Sequence, residues 1–351
     1  MRLVVRGILQ LRESSFGACP AESMHGEMMA APTAPEQGTA RTVPPHILVV
    51  IPTRNRPTDL VRCLESLAAV VYPSWELLIA DQSDGAATQQ VAEGYVDRLP
   101  TVTYQRMRER GQCRGRNLGL QHAGTGIVAY LDDDCTIGPE WLTEVAAAFL
   151  RHPTAALVFG SLHAAPHDPH KVLVPAVVFG REREVIGALK YGESGMGASM
   201  YLWPARSAYW GRFDVHLGPG TRWPAADERD YACRVILEGP PLVLTPAIRV
   251  YHHGARSLDS GAAGKLFRGY ALANGAMDMK MIRCGDLRSL WRALDQIRRY
   301  VRTILWAVIT RKRPLGIAAL AMYVRGLAES FSLPIDRAQR LYVTAKPAVR
   351  R

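Results

Sequence analysis

The feature that most constrains the fold is a regular alternation of apolar runs and helical patterns over residues 46–150. Apolar or β-branched runs occupy residues 47–51, 75–80, 102–104 and 127–131. Segments with apolar residues at helical spacing begin at Pro57 and cover about 88–96, 114–122 and 140–150. Continuous apolar runs are typical of parallel strands covered on both faces. The pattern therefore predicts an α/β fold, with a doubly wound, mostly parallel sheet and helices on both faces.

Polar residues follow three of these predicted strands. Thr53-Arg54-Asn55 follows the first, Asp81 the second, and Asp132-Asp133-Asp134 the fourth. In doubly wound sheets, ligands bind beyond the carboxyl ends of the strands, so we expect the three segments to share one crevice. Consecutive carboxylates after a buried strand predict a divalent cation held against a phosphate. The alternative for the triplet is a solvated turn or a helix cap.

Charge and cysteine content exclude some classes of protein. The net charge is +11, yet residues 280–351 alone carry 16 Lys/Arg and 4 Asp/Glu, which leaves a balance near −1 for the rest. The body of the chain is therefore not basic, and we expect no nucleic-acid partner. Six cysteines without a CxxC pair favour a reducing compartment over a zinc or disulfide framework. The first 45 residues lack periodicity and are predicted to be a disordered or over-extended N-terminus.

Four motifs carry a family resemblance. In order, they are VIPTRNR at 50–56, LIADQSDG at 78–85, GRNLG at 115–119 and YLDDD at 130–134. Together they resemble the GT-A fold, family 2 glycosyltransferases, over about residues 47–253. The resemblance implies an inverting, metal-dependent glycosyltransferase. Such an enzyme moves a sugar from a nucleotide-diphospho-sugar to a hydroxyl acceptor, which is a glycan, a lipid-linked or a small molecule, in glycan, cell-surface polysaccharide or glycoconjugate biosynthesis.

The resemblance also implies a nucleotide-sugar site at the strand ends. Its expected members are Pro52, Thr53, Arg54, Asp81, Arg116, Asp132 and Asp133. Asp132 would lie near the ribose, and Asp134 would bind Mg²⁺ or Mn²⁺ against the two phosphates. Each residue also has a structural reading. Asp81 could cap a helix, Arg116 could be a solvated helix residue, and Asp133 could face solvent.

The second half of the resemblance supplies a candidate base. In the segment 227–231 (DERDY), the family's usual Glu-Asp pair stands reversed as Asp227-Glu228. By position, Glu228 would remove the proton of the acceptor hydroxyl, with Asp227 as the other candidate. A carboxylate suits this role because the proton can transfer late, as the hydroxyl attacks. The structural alternative is a helix N-terminus, in which Asp230 pairs with Arg234 at i,i+4.

A histidine is expected to complete the metal site. Neighbouring residues on a strand point to opposite faces, so only one of His252 and His253 can reach the site. By resemblance to related enzymes, His252 is the preferred metal ligand.

The domains predicted are a GT-A catalytic domain over 46–255 and a basic amphipathic helical tail over 256–351. The catalytic domain divides into a nucleotide-sugar half (46–160) and an acceptor half (161–255). Apolar stretches at 300–310 and 315–323 are separated by RKRP, and neither reaches the ~18 residues of a spanning helix. Arginines beside an apolar stripe fit an anionic membrane surface, although such a stripe more commonly packs on its own domain. We therefore expect a cytoplasmic protein, with a peripheral position on the inner face of the cytoplasmic membrane as an open alternative.

Two other functions remain open. A nucleotidyltransferase would share the core and an Asp-bound metal, but residues 52–57 (PTRNRP) contain no glycine for a phosphate loop. The second alternative is a sugar-nucleotide or membrane-binding module without catalysis.

Overall fold

A computed structural model describes residues 43–190, 193–206, 211–311 and 316–344. The prediction for the N-terminal segment lies, up to residue 42, outside the described residues.

The first half alternates strand and helix, as predicted. Its strands are β1 (Ile47–Thr53), β2 (Trp75–Asp81), β3 (Val102–Arg106), β4 (Ile127–Tyr130) and β5 (Cys135–Ile137). Its helices are α1 (Pro57–Leu67), α2 (Ala87–Glu93), α3 (Gln112–His122) and α4 (Trp141–Arg151). Pro57 stands in the first turn of α1, where a missing N–H costs nothing.

The second half adds strands of both directions. They are β6 (Leu157–Ala164), β7 (Val172–Leu173), β8 (Arg183–Val185), β9 (Met200–Leu202), β10 (Leu242–His252) and β11 (Arg256–Ser257). Helix α5 (Asp227–Leu237) precedes β10. The pairing of β10 with β6 shifts register between Thr245 and Arg249.

One central sheet contains nine of these strands. Its order is β3-β2-β1-β4-β9-β6-β10-β5, and β8 also pairs with β10. The pairs β1–β2, β1–β4, β2–β3 and β6–β10 are parallel, whereas β9 runs antiparallel to both β4 and β6. The predicted doubly wound, mostly parallel sheet is confirmed. In the register, Thr53 lies opposite Asp81, so the carboxyl ends of β1 and β2 coincide.

Side chains of β1 alternate between two hydrophobic clusters, one on each face of the sheet. Ile47, Val49 and Ile51 pack with residues of α1 and α4. Leu48 and Val50 pack on the opposite face with residues of α3, α5 and a later helix. Burial on both faces explains the continuous apolar run at 47–51.

Three helices follow the sheet. They are α6 (Ala262–Arg283), α7 (Leu287–Ile309) and α8 (Gly316–Glu329), and a short hairpin of β12 (Ile335–Asp336) and β13 (Leu341–Tyr342) comes after them. Apolar residues of α6 and Tyr342 belong to the same cluster as α3 and α5. Within the described part of the chain, no helix is long and apolar enough to cross a membrane.

A buried ion cluster joins α6 to α5. The ammonium of Lys280 lies 2.7 Å from a carboxylate oxygen of Asp214 and 2.7 Å from one of Asp230. Asp230 also pairs with Arg234 at 2.9 Å, which is the i,i+4 pair that the sequence suggested. All four side chains are fully buried, so α5 is held by charge as well as by packing.

Candidate active site

A cleft of about 330 Å³ opens beyond the carboxyl ends of β1 and β4. Its walls come from the residues after these strands, the start of α3, the segment 196–198, the start of α5 and the end of β10. The sequence-predicted residues that line it are Pro52, Thr53, Arg54, Arg116, Asp132, Asp133, Asp134, Asp227, Glu228 and His252. The ends of β1 and β4 therefore converge on the cleft as expected, whereas Asp81 at the end of β2 does not line it.

Asp81 lies at the end of β2, where it is completely buried. Its carboxylate accepts hydrogen bonds from the backbone N–H of Ser83 (2.8 Å), the Tyr104 hydroxyl (2.7 Å) and Arg106 (3.1 Å). These contacts fix the turn after β2. The next residue, Gln82, lines the cleft and forms a pair of hydrogen bonds with the backbone of Gly111.

Asp133 does not face solvent, and that alternative is wrong. Its side chain is buried, and it accepts hydrogen bonds from the Thr53 hydroxyl (2.8 Å) and the Arg56 guanidinium (2.8 Å). Loss of hydration in this position raises the pKa of Asp133 to about 7, although the charge of Arg56 opposes the change. Asp133 thus connects the end of β1 with the acidic segment after β4.

Asp134 is the carboxylate nearest to a histidine of the cleft. One of its oxygens lies 3.4 Å from Nε2 of His252, and the other accepts a hydrogen bond of 2.9 Å from Arg56. Burial raises the pKa of Asp134, but the hydrogen bonds and charges of His252 and Arg56 outweigh it and leave that pKa well below its ordinary value. Burial lowers the pKa of His252, but the hydrogen bond and the charge of Asp134 outweigh burial and raise that pKa above its ordinary value.

The donor atoms around Asp134 fit a divalent cation. Potential ligand atoms of Asp134, Cys135 and His252 lie within 4.8 Å of one another. A carboxylate oxygen and an imidazole nitrogen suit Mn²⁺ or Mg²⁺. Burial raises the pKa of the Cys135 thiol well above its ordinary value, so we do not assign it as a ligand. Nδ1 of His252 lies 2.8 Å from the Pro175 carbonyl, which leaves Nε2 directed at Asp134.

His252, the last residue of β10, and His253, directly after it, point in different directions. His252 faces the cleft, whereas His253 contacts the Thr136 hydroxyl at 3.0 Å.

Asp132 is the most exposed carboxylate of the triplet. It accepts a hydrogen bond of 2.6 Å from Gln112, and Arg116 lies 3.6 Å away. Burial raises the pKa of Asp132, and the charge of Arg116 opposes that change. A partly exposed acceptor at the mouth of the cleft is available to a ligand hydroxyl.

Arg116 connects the triplet with the start of α5. Its guanidinium forms a hydrogen-bonded ion pair with Asp227, and both side chains are buried. Gly197 lies against the same guanidinium, so a Cβ at position 197 would collide with it. The structure therefore places Arg116 as a bridge inside the wall of the cleft.

Asp227 and Glu228 have different surroundings. Asp227 is buried against Arg116, whereas Glu228 is partly exposed and lines the cleft. Limited access of solvent and the neighbouring charge of Asp227 raise the pKa of Glu228 well above its ordinary value. Ala226, directly before α5, has a left-handed backbone (φ 68°) that sets the direction of this helix start.

The sequence analysis missed Arg56 and Gln112 as residues of the cleft. Arg56 stands in the first motif, and a buried pair of carboxylates requires a nearby cation, so the triplet itself was the available signal. Nothing in the local sequence pairs Gln112 with Asp132, because 20 residues separate them.

Comparisons with known proteins agree with this site. The family model described as glycosyl transferase family 2 matches residues 48–200. Residues 48–200 form a family 2 glycosyltransferase domain. The family 2 domain therefore includes the first three motifs, the acidic triplet and the segment 196–198.

Curated relatives share this domain. Validoxylamine A glucosyltransferase of Streptomyces hygroscopicus subsp. limoneus is 32% identical over 148 residues, which are 41% of this chain and 32% of the relative. The putative colanic acid biosynthesis glycosyl transferase WcaA of Escherichia coli K12 is 25% identical over 239 residues, 64% of this chain and 79% of that protein. The chain thus spans about a third of the length of the validoxylamine A glucosyltransferases that it matches.

A solved structure shares the fold beyond the family 2 domain. The mannosyltransferase PcManGT from Pyrobaculum calidifontis, in complex with GDP-Man and Mn²⁺, superposes with a TM-score of 0.56 at 16% identity. The match covers 83% of this chain and 88% of that one. The sheet is therefore of the GT-A type.

Proposed function

We propose that this protein is an inverting glycosyltransferase, which transfers a sugar from a nucleotide-diphospho-sugar to a hydroxyl of an acceptor. The observation that carries the proposal is one cleft lined by the acidic triplet on one side and by Glu228 on another. A displacement at a sugar carbon needs this combination, because the departing diphosphate and the incoming hydroxyl require opposite kinds of assistance.

On the donor side, the nucleotide would lie over the ends of β1 and β4. Thr53, Arg54 and Gln82 line this part of the cleft and would contact the base and ribose, with Asp132 near a ribose hydroxyl. Asp81 would not contact the nucleotide; its hydrogen bond with the backbone of Ser83 would hold the turn that places Gln82 in the cleft. Arg116 would keep Asp132 and α5 in position rather than contact the phosphates, since Asp227 already occupies its guanidinium.

Asp134 and His252 would hold Mg²⁺ or Mn²⁺. A bound divalent ion would neutralise the charge that develops on the diphosphate as the sugar leaves. His252 is positioned for this role by its contact with the Pro175 carbonyl, which orients the ring.

On the acceptor side, Glu228 would take the proton of the attacking hydroxyl. Its raised pKa makes it a stronger base than an ordinary carboxylate at neutral pH, provided that it is ionised when the acceptor binds. Asp227 is already paired with Arg116, so it would hold the start of α5 in place while Glu228 faces the acceptor. Attack from this side, opposite the leaving diphosphate, inverts the anomeric configuration.

A donor panel tests the class of reaction. UDP-, GDP- and dTDP-sugars would be incubated with the protein, with Mn²⁺ or with EDTA, and the released products quantified. Release of a nucleoside diphosphate that EDTA suppresses supports the proposal. Release of pyrophosphate from a nucleoside triphosphate and a sugar phosphate would identify a nucleotidyltransferase instead. Donor binding without product would identify a non-catalytic module.

We also propose that the outer face of α7 lies on an anionic membrane surface. Six of its apolar side chains are more than half exposed, namely Leu287, Trp291, Leu305, Trp306, Val308 and Ile309. The exposed arginines 298, 299 and 302 lie on the same helix. On a membrane, the apolar side chains would insert below the lipid headgroups, and the arginines would contact the lipid phosphates. A membrane location fits a lipid-linked acceptor, and the relative WcaA is named for colanic acid biosynthesis.

Arg292 of α7 is buried and forms an ion pair with Asp278 of α6 at 2.7 Å. Removal of α7 would leave Asp278 without this partner, so point substitutions test the surface better than truncation. Trp291→Glu is compared with Val71→Glu, since the two side chains are similarly exposed, at 73% and 67%. Co-sedimentation with phosphatidylcholine vesicles containing phosphatidylglycerol should fall for Trp291→Glu alone. Equal sedimentation of all three proteins would refute the proposal, and a dimer that Trp291→Glu dissociates would assign the face to a second copy.

A further inference from the structure

Arg56 forms close contacts with two of the carboxylates that the proposed metal site requires. One guanidinium nitrogen lies 2.8 Å from Asp133 and 2.9 Å from Asp134. The oxygen of Asp134 that accepts this hydrogen bond, Oδ2, belongs to the same carboxylate whose Oδ1 faces His252. Arg56 and a divalent ion would therefore use the same small group of atoms.

The surroundings allow the guanidinium to move away from these carboxylates. The side chain of Arg56 is 36% exposed, while those of Asp133 and Asp134 are almost completely buried. Its Nε also lies 3.4 Å from Asp59, a carboxylate outside the cleft. The guanidinium thus has a second anionic partner toward solvent, whereas the ionised forms of the two buried carboxylates require a cation beside them.

We infer that Arg56 is a built-in counter-cation of Asp133 and Asp134, which competes with the divalent ion for Asp134 and lowers metal affinity in the absence of donor. This inference rests on the proposed metal site. A metal ion alone would bring two positive charges beside a guanidinium, which is unfavourable in a partly buried cleft. A metal ion that arrives with a diphosphate brings compensating negative charge, so competition is strongest for the metal alone.

Direct binding of Mn²⁺ to the donor-free protein tests this inference without an activity assay. Free Mn²⁺ is measured by electron paramagnetic resonance for the wild type, Arg56→Gln and Arg56→Lys. Removal of one close charge–charge contact should tighten Mn²⁺ binding by roughly tenfold in Arg56→Gln, and Arg56→Lys should lie between. Arg62→Gln is the matched control, because Arg62 pairs with Asp59 at 3.2 Å on the same helix. Its affinity should equal that of the wild type.

Thermal unfolding provides a second measurement. In EDTA, Arg56→Gln should melt below the wild type, because Asp133 and Asp134 lose their cation, and Mn²⁺ should restore most of the difference. Mn²⁺ affinity of Arg56→Gln equal to or weaker than wild type, while Asp134→Asn abolishes binding, would overturn the inference alone. Mn²⁺ binding that Asp134→Asn leaves unchanged would instead overturn the metal site itself.

Discussion

Lys280 offers the sharpest test of how the fold holds α5, the helix that begins with Asp227 and Glu228. Its ammonium lies between Asp214, in the segment that precedes α5, and Asp230, in the first turn of α5. Lys280→Met keeps much of the volume and removes the charge. Because both carboxylates are fully buried, neither can turn to water for compensation.

The size of the effect follows from what each carboxylate keeps. Asp230 retains Arg234 at 2.9 Å, so it remains paired. Among the described residues, Asp214 retains two backbone N–H donors, from Tyr342 at 2.9 Å and His216 at 3.0 Å. One buried charge rather than two is therefore left without a cation, and breaking one such pair costs about 3–5 kcal/mol. With a urea m-value of about 3 kcal/mol/M, the midpoint should fall by roughly 1 M or more.

Urea unfolding followed by fluorescence measures this change. The double variant Lys280→Met/Asp214→Asn should recover part of the loss, because it removes the unpaired charge. Arg98→Met is the control: Arg98 pairs with Glu65 at 2.7 Å on the surface, and we expect little change in midpoint. A loss below about 1 kcal/mol in Lys280→Met, or no recovery in the double variant, would refute the reasoning.

Three further predictions follow from the site. Gly197→Ala should lower kcat/KM by roughly 10–100-fold, because the new Cβ displaces Arg116, and the melting temperature should fall as well, because the Arg116–Asp227 pair is buried. The pH–rate profile should lose activity toward acid at a pH well above 4.5, since a base with the raised pKa of Glu228 must be ionised to act, and steady-state rates across pH measure this. Burial raises the pKa of Asp214, but the charge of Lys280 outweighs burial and leaves that pKa below its ordinary value. The ionised carboxylate therefore stabilises the fold above its ordinary pKa, and this stabilisation is lost as the pH falls through the lowered pKa. Urea midpoints at acid pH should decline less in Asp214→Asn than in the wild type.

The sequence was sufficient for the elements of the first half because each of them is buried in a simple way. The run at 47–51 is apolar throughout since β1 packs on both faces, and the predicted strand differs from the observed one only at its end. The crevice was predictable for the same reason, because parallel strands place Thr53 and Asp81 at one edge. Alternation along β10 also implied that only one of two histidines reaches the cleft.

Contacts between distant residues could not be predicted. The pair of Arg116 with Asp227 joins positions 111 residues apart, and no local pattern encodes it. From the sequence, Asp133 could belong to the nucleotide-sugar site or face solvent, because its burial depends on how β1 and the start of α1 place Thr53 and Arg56. The incorporation of α6 into the main hydrophobic cluster likewise depends on contacts between parts of the chain that are distant in sequence.

Product stereochemistry and the role of Glu228 are measured most directly together, in a transfer reaction with the active donor from the panel. Glu228→Gln should lower kcat by roughly 10²–10⁴-fold while donor affinity stays near the wild-type value, and the residual product should have inverted anomeric configuration by NMR. Glu238→Gln, at the other end of α5 and paired with Arg340, should transfer sugar like the wild type. Wild-type turnover in Glu228→Gln, or a product of retained configuration, would contradict the account.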